Sequence, residues 1–483
     1  MTRPTMPSPF PPETFEVAVP RPIDAAILAE LRANGLDCDT DAAVRADHGR
    51  DWWPLSLSDV HRGIVAQWPG VVVRARTTSE VETLMRLATK HRIAVTPQGG
   101  RSSVVAGAGA PNGAVALDLT GLEHIVDVDT VAGTVKVEAG VFGPDLESNL
   151  RARGFTVGHF PQSFEFSTVG GWLACRGAGQ YSNRYGKIED IVHGLTVVLA
   201  SGDVLELGGH GPRQALGPDL VQLFVGSEGT LGIITQATLA IRSVAPHESR
   251  AAYGFTSFNE GLESCRRILQ RGARPAVLRL YDAAESHRNF DLDVCALIVL
   301  DEGDRALVDA TMGVVAEECG DAQGLGAEFV AAWLQHRNDV GALVPLWEQG
   351  VVVDTIEVAG PWSILQSLCD KVLRALTSLD ATIIASVHQS HAYTDGACLY
   401  FTFAGKPETE PAAYYRAAWD AATRVVLDQH GAVSHHHGIG RSRARFLPEA
   451  LGSGFTLLES LKATLDPLSL LNPGVLALGG APW

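Results

Sequence analysis

Short apolar strands alternate with amphipathic helices along most of this 483-residue chain. The segment VVVRA has the apolar run of a strand, and TTSEVETLMRLATKH then spaces its apolar residues at helical intervals behind a Thr/Ser cap. RIAVTP, AVALDL, HIVDVD and TVKVEAG follow as strands, the last two as a hairpin, and GPDLESNLRARG is a helix that ends at glycine. The pattern predicts mixed α and β structure to about Arg242.

The pattern also divides the chain into parts. Residues 1–22 are proline-rich and lack apolar periodicity, so we expect a flexible arm, followed by a first domain at 23–244. Helices such as FNEGLESCRRILQRG alternate with strands such as CALIVLDEG and ACLYFTFAG over 245–435, which predicts a second α+β domain. The segment 436–483, with one helix stopped at Asp466-Pro467, is too short to fold alone and should pack onto an earlier part.

Composition narrows the class of protein. With 46% hydrophobic and 19% charged residues the chain can bury a large core, and its formal charge of -17 argues against nucleic acid or an anionic membrane as partner. We expect a small-molecule substrate, no integral membrane segment, and no signal peptide in the proline-rich N-terminus. Seven scattered cysteines without a CxxC pair predict a reducing, cytoplasmic location.

Three glycine-rich stretches carry candidate chemistry. In TPQGGRSSVVAG, Gly99 and Gly100 follow a strand, so successive N–H groups can converge on an anion, although a Gly-Gly turn alone is more often only a turn. The sequence here is neither the GxGxxG fingerprint nor a P-loop, which needs a lysine. The stretch 158–192 could be a surface loop, and VGSEGTLGIIT could be a bulge or a place where a cofactor ring approaches.

Together, and in this order, the three stretches resemble the FAD-binding segments of the vanillyl-alcohol-oxidase-type FAD-linked oxidases. The resemblance implies an α+β fold: a two-part PCMH-type FAD-binding domain, an α+β cap domain with a central antiparallel sheet, and a C-terminal tail that returns to the FAD domain. It assigns 23–244 to FAD and 245–435 to the substrate cap. A homodimer is left open, since members of the family are often dimeric.

The resemblance also implies which residues contact FAD. The turn holds Arg101 and Ser102 where the family usually has glycine and threonine, and Arg101 could pair with a phosphate or point to solvent. The turn contains no histidine for covalent attachment, so noncovalent FAD is expected. The implied FAD-binding residues are Pro97, Gln98, Gly99, Gly100, Arg101, Ser102, Ser103, Gln162, Ser163, Ser167, Thr168, Gly170, Gly171, Cys175, Ala178, Gly179, Glu228, Gly229, Gly232, Ile233 and Ile234.

Within the family, the motifs SFEFSTVGGW, YGKIEDIV, AVLRLYD, TDGACLYF and SHHHGIG are similar to the ether-lipid branch, the alkyldihydroxyacetonephosphate synthases. This similarity implies that Tyr400 moves a proton and that His435, His436 and His437 bind or activate the incoming hydroxyl. Arg279 would hold flavin or substrate charge, with a salt bridge as the alternative.

One motif of that branch is changed. An arginine that grips the substrate phosphate there is replaced by Leu343 in the best alignment, with Arg337 nearby. Recognition of glycerone phosphate is therefore in doubt.

The three histidines first suggest a metal site. In an extended chain their side chains alternate between faces, so only His435 and His437 would converge. Related 2-hydroxyacid dehydrogenases hold a metal with two histidines and a glutamate, whereas this chain keeps His391 but has Tyr400 and His436 at the other two places. We predict no metal, and surface polar residues remain the alternative for this run.

The sequence therefore leaves three hypotheses. The first is a FAD-dependent oxidoreductase that takes a hydride from a C–H beside an OH or amine, with Tyr400 and the histidines handling protons. The alternative is a redox-neutral alkylglycerone-phosphate synthase that exchanges an acyl for an alkyl chain. A flavin-binding protein without catalysis is the third, which the presence of Tyr400 and the histidines disfavours.

Overall fold

A computed structural model describes residues 16–17, 21–211, 213–339, 344–408 and 410–480. Most of the predicted arm and Leu343 lie outside these residues. The strands are β1 (Glu16–Val17), β2 (Asp37–Asp39), β3 (Ile64–Val65), β4 (Val71–Arg74), β5 (Val95–Gln98), β6 (Val115–Asp118), β7 (Ile125–Asp129), β8 (Thr134–Glu138), β9 (Phe155–Thr156), β10 (Val192–Val198), β11 (Val204–Gly208), β12 (Ile233–Ala240), β13 (Arg242–Ser243), β14 (His247–Phe255), β15 (Val277–Tyr281), β16 (Cys295–Gly303), β17 (Gln323–Leu325), β18 (Val352–Pro361), β19 (Thr382–Ala392) and β20 (Gly396–Gly405).

The helices surround these strands and connect them. None of the described helices has the length and apolar character needed to cross a membrane. They are α1 (Ala25–Ala33), α2 (Ala42–His48), α3 (Pro54–His61), α4 (Thr78–His91), α5 (Gly143–Arg151), α6 (Val169–Cys175), α7 (Ser182–Tyr185), α8 (Ile188–Ile191), α9 (Leu220–Phe224), α10 (Phe258–Gln270), α11 (Ala283–Phe290), α12 (Arg305–Glu318), α13 (Glu328–His336), α14 (Val344–Glu348), α15 (Trp362–Thr377), α16 (Pro411–Asp428), α17 (Leu447–Leu451) and α18 (Ser453–Leu465).

The first half of the chain builds two larger sheets, of four and five strands, and the pairs β1–β3 and β9–β13. Four strands lie in the order β2–β4–β6–β5, with parallel pairing of β6 to β4 and to β5. Five antiparallel strands lie in the order β11–β10–β12–β8–β7, and the predicted β7–β8 hairpin is confirmed. Helix α4 buries Val81, Leu84 and Met85 against the first sheet, because these residues share one helical face, and the Thr77 side chain caps it as expected.

The second half builds a seven-stranded antiparallel sheet in the order β17–β14–β16–β15–β19–β20–β18. One face packs on helices α10, α12, α15 and α16, and the alternation of β20 sends Phe401 and Phe403 into that core. Tyr400 and Thr402 therefore point to the opposite face, which lines a cavity. The predicted α+β class with a central antiparallel cap sheet is confirmed, and the predicted domain boundaries stay predictions.

The C-terminal tail returns to the first half of the chain, as expected. Leu471 forms a parallel bridge with Val95 in β5. The buried ammonium of Lys462 donates to the carbonyl of Thr230 at 2.8 Å and pairs with Asp466 at 2.5 Å, while Asp466 also accepts from the backbone of the following turn. This buried ion pair fixes the tail against the third glycine-rich stretch.

We expect Lys462→Met to destabilise the protein by about 3 to 5 kcal/mol, because it leaves the Asp466 carboxylate buried without its cation. Lys90→Met is the matched control: it removes an ion pair with Glu30 whose lysine is 59% exposed, so water already screens the pair and the loss of stability should be much smaller. Thermal and urea unfolding of both variants measure the difference. Equal losses would contradict the anchoring role of Lys462.

Candidate active site

A cavity of about 830 Å³ lies where the three glycine-rich stretches meet the seven-stranded sheet. Ser167 and Gly179 lie outside its wall: Ser167 accepts a hydrogen bond from Trp172, and Gly179 packs on the backbone of His159. His435 also lies behind the wall. The predicted residues that line the cavity are Pro97, Gln98, Gly99, Gly100, Arg101, Ser102, Ser103, Gln162, Ser163, Thr168, Gly170, Gly171, Cys175, Ala178, Glu228, Gly229, Gly232, Ile233, Ile234, Arg279, Tyr400, His436 and His437.

The turn after β5 offers an anion cradle. Among the described residues, the backbone N–H groups from Gly99 to Ser103 have no hydrogen-bond acceptor. Arg101 adopts φ 53°, and such a left-handed residue beside ordinary ones turns successive N–H groups to one side. Donors without partners at a cavity wall fit the diphosphate of FAD.

Arg101 itself takes neither of the two roles left open by the sequence. Its guanidinium donates to the backbone carbonyl and to a carboxylate oxygen of Asp47, both at 2.6 Å. The side chain is 16% exposed. The arginine therefore ties the turn to helix α2 while its backbone contributes to the cradle.

Glycine is required in this wall for two different reasons. A Cβ on Gly99 would lie 2.1 Å from Thr168 Oγ1, and one on Gly100 1.9 Å from the carbonyl oxygen of Phe166, so these glycines let the first two stretches pack together. A Cβ on Gly171 would meet only Thr168 Oγ1, at 3.4 Å, and would otherwise enter the cavity. The open space in front of Gly171 fits a bound cofactor.

Glu228 joins the third stretch to the histidine segment. Its carboxylate accepts from the backbone N–H groups of Ile439 at 2.7 Å and Gly440 at 2.9 Å. Burial raises the pKa of Glu228 to about 7 against the effect of these hydrogen bonds. The loop that carries the histidines is therefore fixed to the FAD-binding half of the cavity.

Four neighbouring strands present one row of polar side chains to the cavity side of the sheet. Tyr281 in β15 pairs in register with His388 in β19, His388 with Tyr400 in β20, and Tyr400 with Glu357 in β18. The rings of His388 and Tyr400 stack with centroids 5.0 Å apart and planes 13° from parallel. Residues paired in this way point to the same face, so the sheet register assembles the site.

Tyr400 is hydrogen-bonded to His437, with 2.5 Å between the hydroxyl oxygen and Nε2. The other ring nitrogen of His437, Nδ1, faces a Glu357 oxygen at 3.6 Å. Nδ1 makes no hydrogen bond among the described residues, but the nearby carboxylate charge favours a proton on it, and in that tautomer Nε2 accepts a hydrogen bond from the tyrosine. Burial raises the pKa of Tyr400, and the Glu357 charge adds to this, so the phenol stays protonated.

Glu357 is the anchor of the histidine segment. It is completely buried and accepts from the N–H of His435 at 2.5 Å, the N–H of His437 at 2.9 Å and the hydroxyl of Ser434 at 2.9 Å. The Arg443 guanidinium donates to it at 2.9 Å. Burial alone would raise the pKa of Glu357, but Arg443 and the backbone donors hold it well below the usual range.

The arrangement of the other two histidines corrects our sequence argument. The segment bends instead of running extended, so the adjacent His435 and His436 approach each other, with 2.9 Å between their Nδ1 atoms. His391 joins them, and candidate ligand atoms of the three lie within 4.8 Å of one another. The expected convergence of His435 and His437 is wrong. The absence of a metal stays a prediction, although this cluster has the donor atoms for one.

Burial controls the charge of these imidazoles. It lowers the pKa of His435 and His436 to about 3 and that of His437 to about 4, with neighbouring histidines adding to the effect on His435 and His436. His391 is shifted in the same direction by burial and by its neighbours. The rings are therefore neutral near pH 7 and available as proton acceptors.

Sequence reasoning missed His388 and Glu285. The imidazole of His388 lies between Glu285, 2.7 Å from Nδ1, and Arg279, 2.6 Å from Nε2. The sequence offered two signals for these residues: Glu285 is a carboxylic residue at the start of α11, and His388 lies on the same strand as His391. A register shift between Gln389 and His391 brings His388 and His391 to the same side, which simple alternation along β19 does not predict.

We expect the stability of the protein to depend on pH through the half-buried imidazoles of the histidine segment. His436 has a lower pKa in the folded than in the unfolded chain, so its stabilising contribution is complete above about pH 6.5 and is lost as the pH falls toward 3. His436→Gln should reduce the slope of unfolding free energy against pH, between about pH 4.5 and 6, by about 1.4 kcal/mol per unit. His287→Gln, at a side chain 64% exposed, is the control. Identical slopes for His436→Gln and the unaltered protein would contradict burial as the cause.

Gly171→Ala tests the cofactor wall. Alanine suits helix α6 better than glycine and meets no close neighbour, so the apoprotein should be as stable as before. The new methyl group should weaken FAD binding at least about tenfold, measured by fluorescence titration of the apoprotein. Gly313→Ala in helix α12, which has no atom within 4 Å, should leave FAD affinity unchanged. Unchanged affinity in Gly171→Ala would remove this wall from the FAD site.

Comparison with known proteins agrees with the geometry. A family model described as "FAD binding domain" matches residues 69–208, and one described as "FAD linked oxidases, C-terminal domain" matches residues 244–476. An alkyldihydroxyacetonephosphate synthase of Dictyostelium discoideum is 31% identical over 86% of this chain and 75% of its own. The uncharacterized FAD-linked oxidoreductase YgcU of Escherichia coli O157:H7 is 31% identical over 86% of this chain and 91% of its own.

A solved structure of an alkyldihydroxyacetonephosphate synthase has the same fold, with a TM-score of 0.81 at 28% identity over 96% of this chain and 88% of that one. The resemblance inferred from the glycine-rich stretches is confirmed, and so is FAD as the cofactor. The protein is thus a FAD-dependent enzyme of the FAD-linked oxidase family.

Proposed function

We propose that the enzyme oxidises a small molecule by removing a hydride from a carbon that bears a hydroxyl or amine group. The observation that carries this proposal is the hydrogen bond from Tyr400 to His437, at a cavity whose other wall fits FAD. A protonated phenol that is hydrogen-bonded to a neutral imidazole can accept a proton from the substrate while it gives its own proton to the imidazole.

The proton balance follows from the arrangement of these residues. FAD, held by the backbone N–H groups from Gly99 to Ser103, would supply the two-electron acceptor for the substrate hydride at its N5 position. The substrate O–H or N–H gives its proton to the Tyr400 oxygen, while the tyrosine proton moves to Nε2 of His437. The imidazolium so formed lies beside the buried Glu357 carboxylate, which stabilises it as the acid of a catalytic triad does. The substrate leaves as a carbonyl or imine.

The shape and charge of the cavity favour an amphipathic anion as substrate. Arg279 Nε and Arg337 Nη1 are buried without a hydrogen-bond partner among the described residues, and both side chains line the cavity. Trp347, Val353 and Ile384 line another part of the wall. Positively charged guanidinium groups at the wall favour carboxylate or phosphate oxygens, and the apolar wall favours a hydrocarbon portion.

A second candidate is the redox-neutral exchange of an acyl for an alkyl chain. It is supported by the similarity to alkyldihydroxyacetonephosphate synthases over most of the chain, and by the apolar wall, which suits an alkyl chain. In this reaction Tyr400 and His437 would activate the hydroxyl of the incoming alcohol. Because the same residues would serve both reactions, only the products formed distinguish the two candidates.

An anaerobic substrate screen tests the proposal. We expect at least one alcohol, hydroxyacid or amine with an anionic group to bleach the flavin absorbance of the loaded enzyme stoichiometrically. Incubation of the same enzyme with acyl-dihydroxyacetone phosphate and labelled hexadecanol tests the second candidate. If the acyl chain is exchanged for the labelled alkyl chain and no compound bleaches the flavin, the second candidate replaces the first.

Tyr400→Phe should slow flavin reduction by the substrate about 10²- to 10⁴-fold, because the proton acceptor is lost while the ring and its stacking on His388 remain. FAD content should not change. Tyr414→Phe is the control, since that hydroxyl bonds Thr382 on the helix side of the sheet. Stopped-flow reduction measures both variants, and equal rates for Tyr400→Phe and the unaltered enzyme would exclude Tyr400 from the proton path.

A further inference from the structure

The contacts of His388 define its protonation and tautomer. Glu285 is 1% exposed, and its carboxylate also accepts from the hydroxyls of Thr402 at 2.8 Å and Ser386 at 3.1 Å. A carboxylate can only accept, so Nδ1 of His388 must carry the hydrogen that lies on Glu285. Nε2 of His388 is then left with a lone pair, and this lone pair accepts from a guanidinium nitrogen of Arg279 at 2.6 Å.

Arg279 is therefore held by a neutral group. Burial lowers the pKa of His388, and the charge of Arg279 acts in the same direction, which agrees with the tautomer that the contacts require. A carboxylate in this position would hold the arginine equally well but would cancel its charge. The imidazole instead separates Arg279 from Glu285 and leaves a positive group facing the cavity.

The guanidinium of Arg279 is held on its other sides as well, at the wall of the cavity. Its Nε is buried without a partner among the described residues, and the group lies 5.5 Å from the ring centre of Tyr281 and 5.9 Å from that of Trp333. These aromatic faces restrict its plane, and the bond to His388 restricts its rotation. The orientation of its remaining donors thus depends on His388.

We propose that His388 is a positioning residue for substrate recognition: its neutral imidazole, oriented by Glu285, aims Arg279 at the anionic group of the substrate. The inference rests on the proposed function for the identity of the ligand, but it concerns binding and not the transfer of hydride or proton. His388 also stacks on the ring of Tyr400, whose hydroxyl is hydrogen-bonded to His437 and not to His388.

Two substitutions separate the contacts of His388. In His388→Gln a side-chain oxygen can take the place of Nε2 and accept from Arg279. In His388→Asn the amide can donate to Glu285 but is too short to reach Arg279. We expect the asparagine variant to bind inorganic phosphate about 10- to 100-fold more weakly, as loss of a charged hydrogen bond implies, and the glutamine variant to bind within about threefold of the unaltered protein.

Binding is measured as the change in flavin absorbance of the FAD-loaded enzyme on titration with phosphate, so no turnover is needed. Ser386→Ala is the control, because it removes a hydrogen bond from Glu285 without touching His388. With a substrate from the screen, the asparagine variant should raise KM by the same factor and leave kcat nearly unchanged, whereas Tyr400→Phe lowers kcat.

Three outcomes would overturn the proposal. These are equal loss of phosphate binding in the two His388 variants, no loss in either, and no response of the unaltered enzyme to phosphate. A failure of the proposed oxidation gives a different result. No substrate would then reduce the flavin, but His388→Asn would still weaken phosphate binding and His388→Gln would not.

Discussion

The buried carboxylate of Glu357 is the interaction on which the active site depends. It belongs to the cap sheet, yet it accepts hydrogen bonds from two backbone groups of the histidine segment and from the guanidinium of Arg443 beyond that segment. Glu228 fixes Ile439 and Gly440 of the same loop from the FAD-binding half. A single loop is thus held by one carboxylate from each half of the molecule. The distance between the flavin side and the proton-handling side of the cavity is set by these two anchors.

The electrostatic consequence is a site made mostly of neutral acceptors. Burial keeps the imidazoles uncharged, while the Glu357–Arg443 pair lies behind them and the Glu285–Arg288 pair lies at the cavity wall. When a neutral base beside a buried carboxylate takes up a proton during the reaction, the resulting ion pair is strongly stabilised, because little water is present to screen it. The proposed anionic substrate, by contrast, requires a permanent positive charge, and Arg279 is the group that we propose for it.

Much of this organisation could be predicted from the sequence. The cap of α4 and the β7–β8 hairpin could be predicted because capping residues and strand alternation are local sequence patterns. The returning tail could be predicted because its single helix is too short to fold alone. The glycine-rich stretches were recognised by their order, and the structure places most of the implied residues on one cavity. Local patterns do not give register across a sheet, and the row formed by Glu357, Tyr400 and His388 depends on that register.

The errors have physical causes as well. Alternation in an extended chain gave the wrong pair of histidines, because Glu357 binds two N–H groups of the segment and bends it. Arg101 was considered only as a phosphate or solvent contact, since its partner Asp47 lies 54 residues earlier and no local pattern marks it. An acidic residue within the apolar strand VVVDTIEVA was a usable sign of a buried, paired carboxylate.

The central claim is that a half-buried, neutral His437 receives the proton through Tyr400. The pH dependence of the flavin reduction rate, measured anaerobically by stopped flow with a bleaching substrate, tests it most directly. Because burial lowers the pKa of His437 to about 4, the acceptor is neutral above that pH, and we expect a constant rate from about pH 5.5 upward with a fall only toward pH 4. A rate that rises through a midpoint near pH 6.5, as for an imidazole in water, would contradict this assignment.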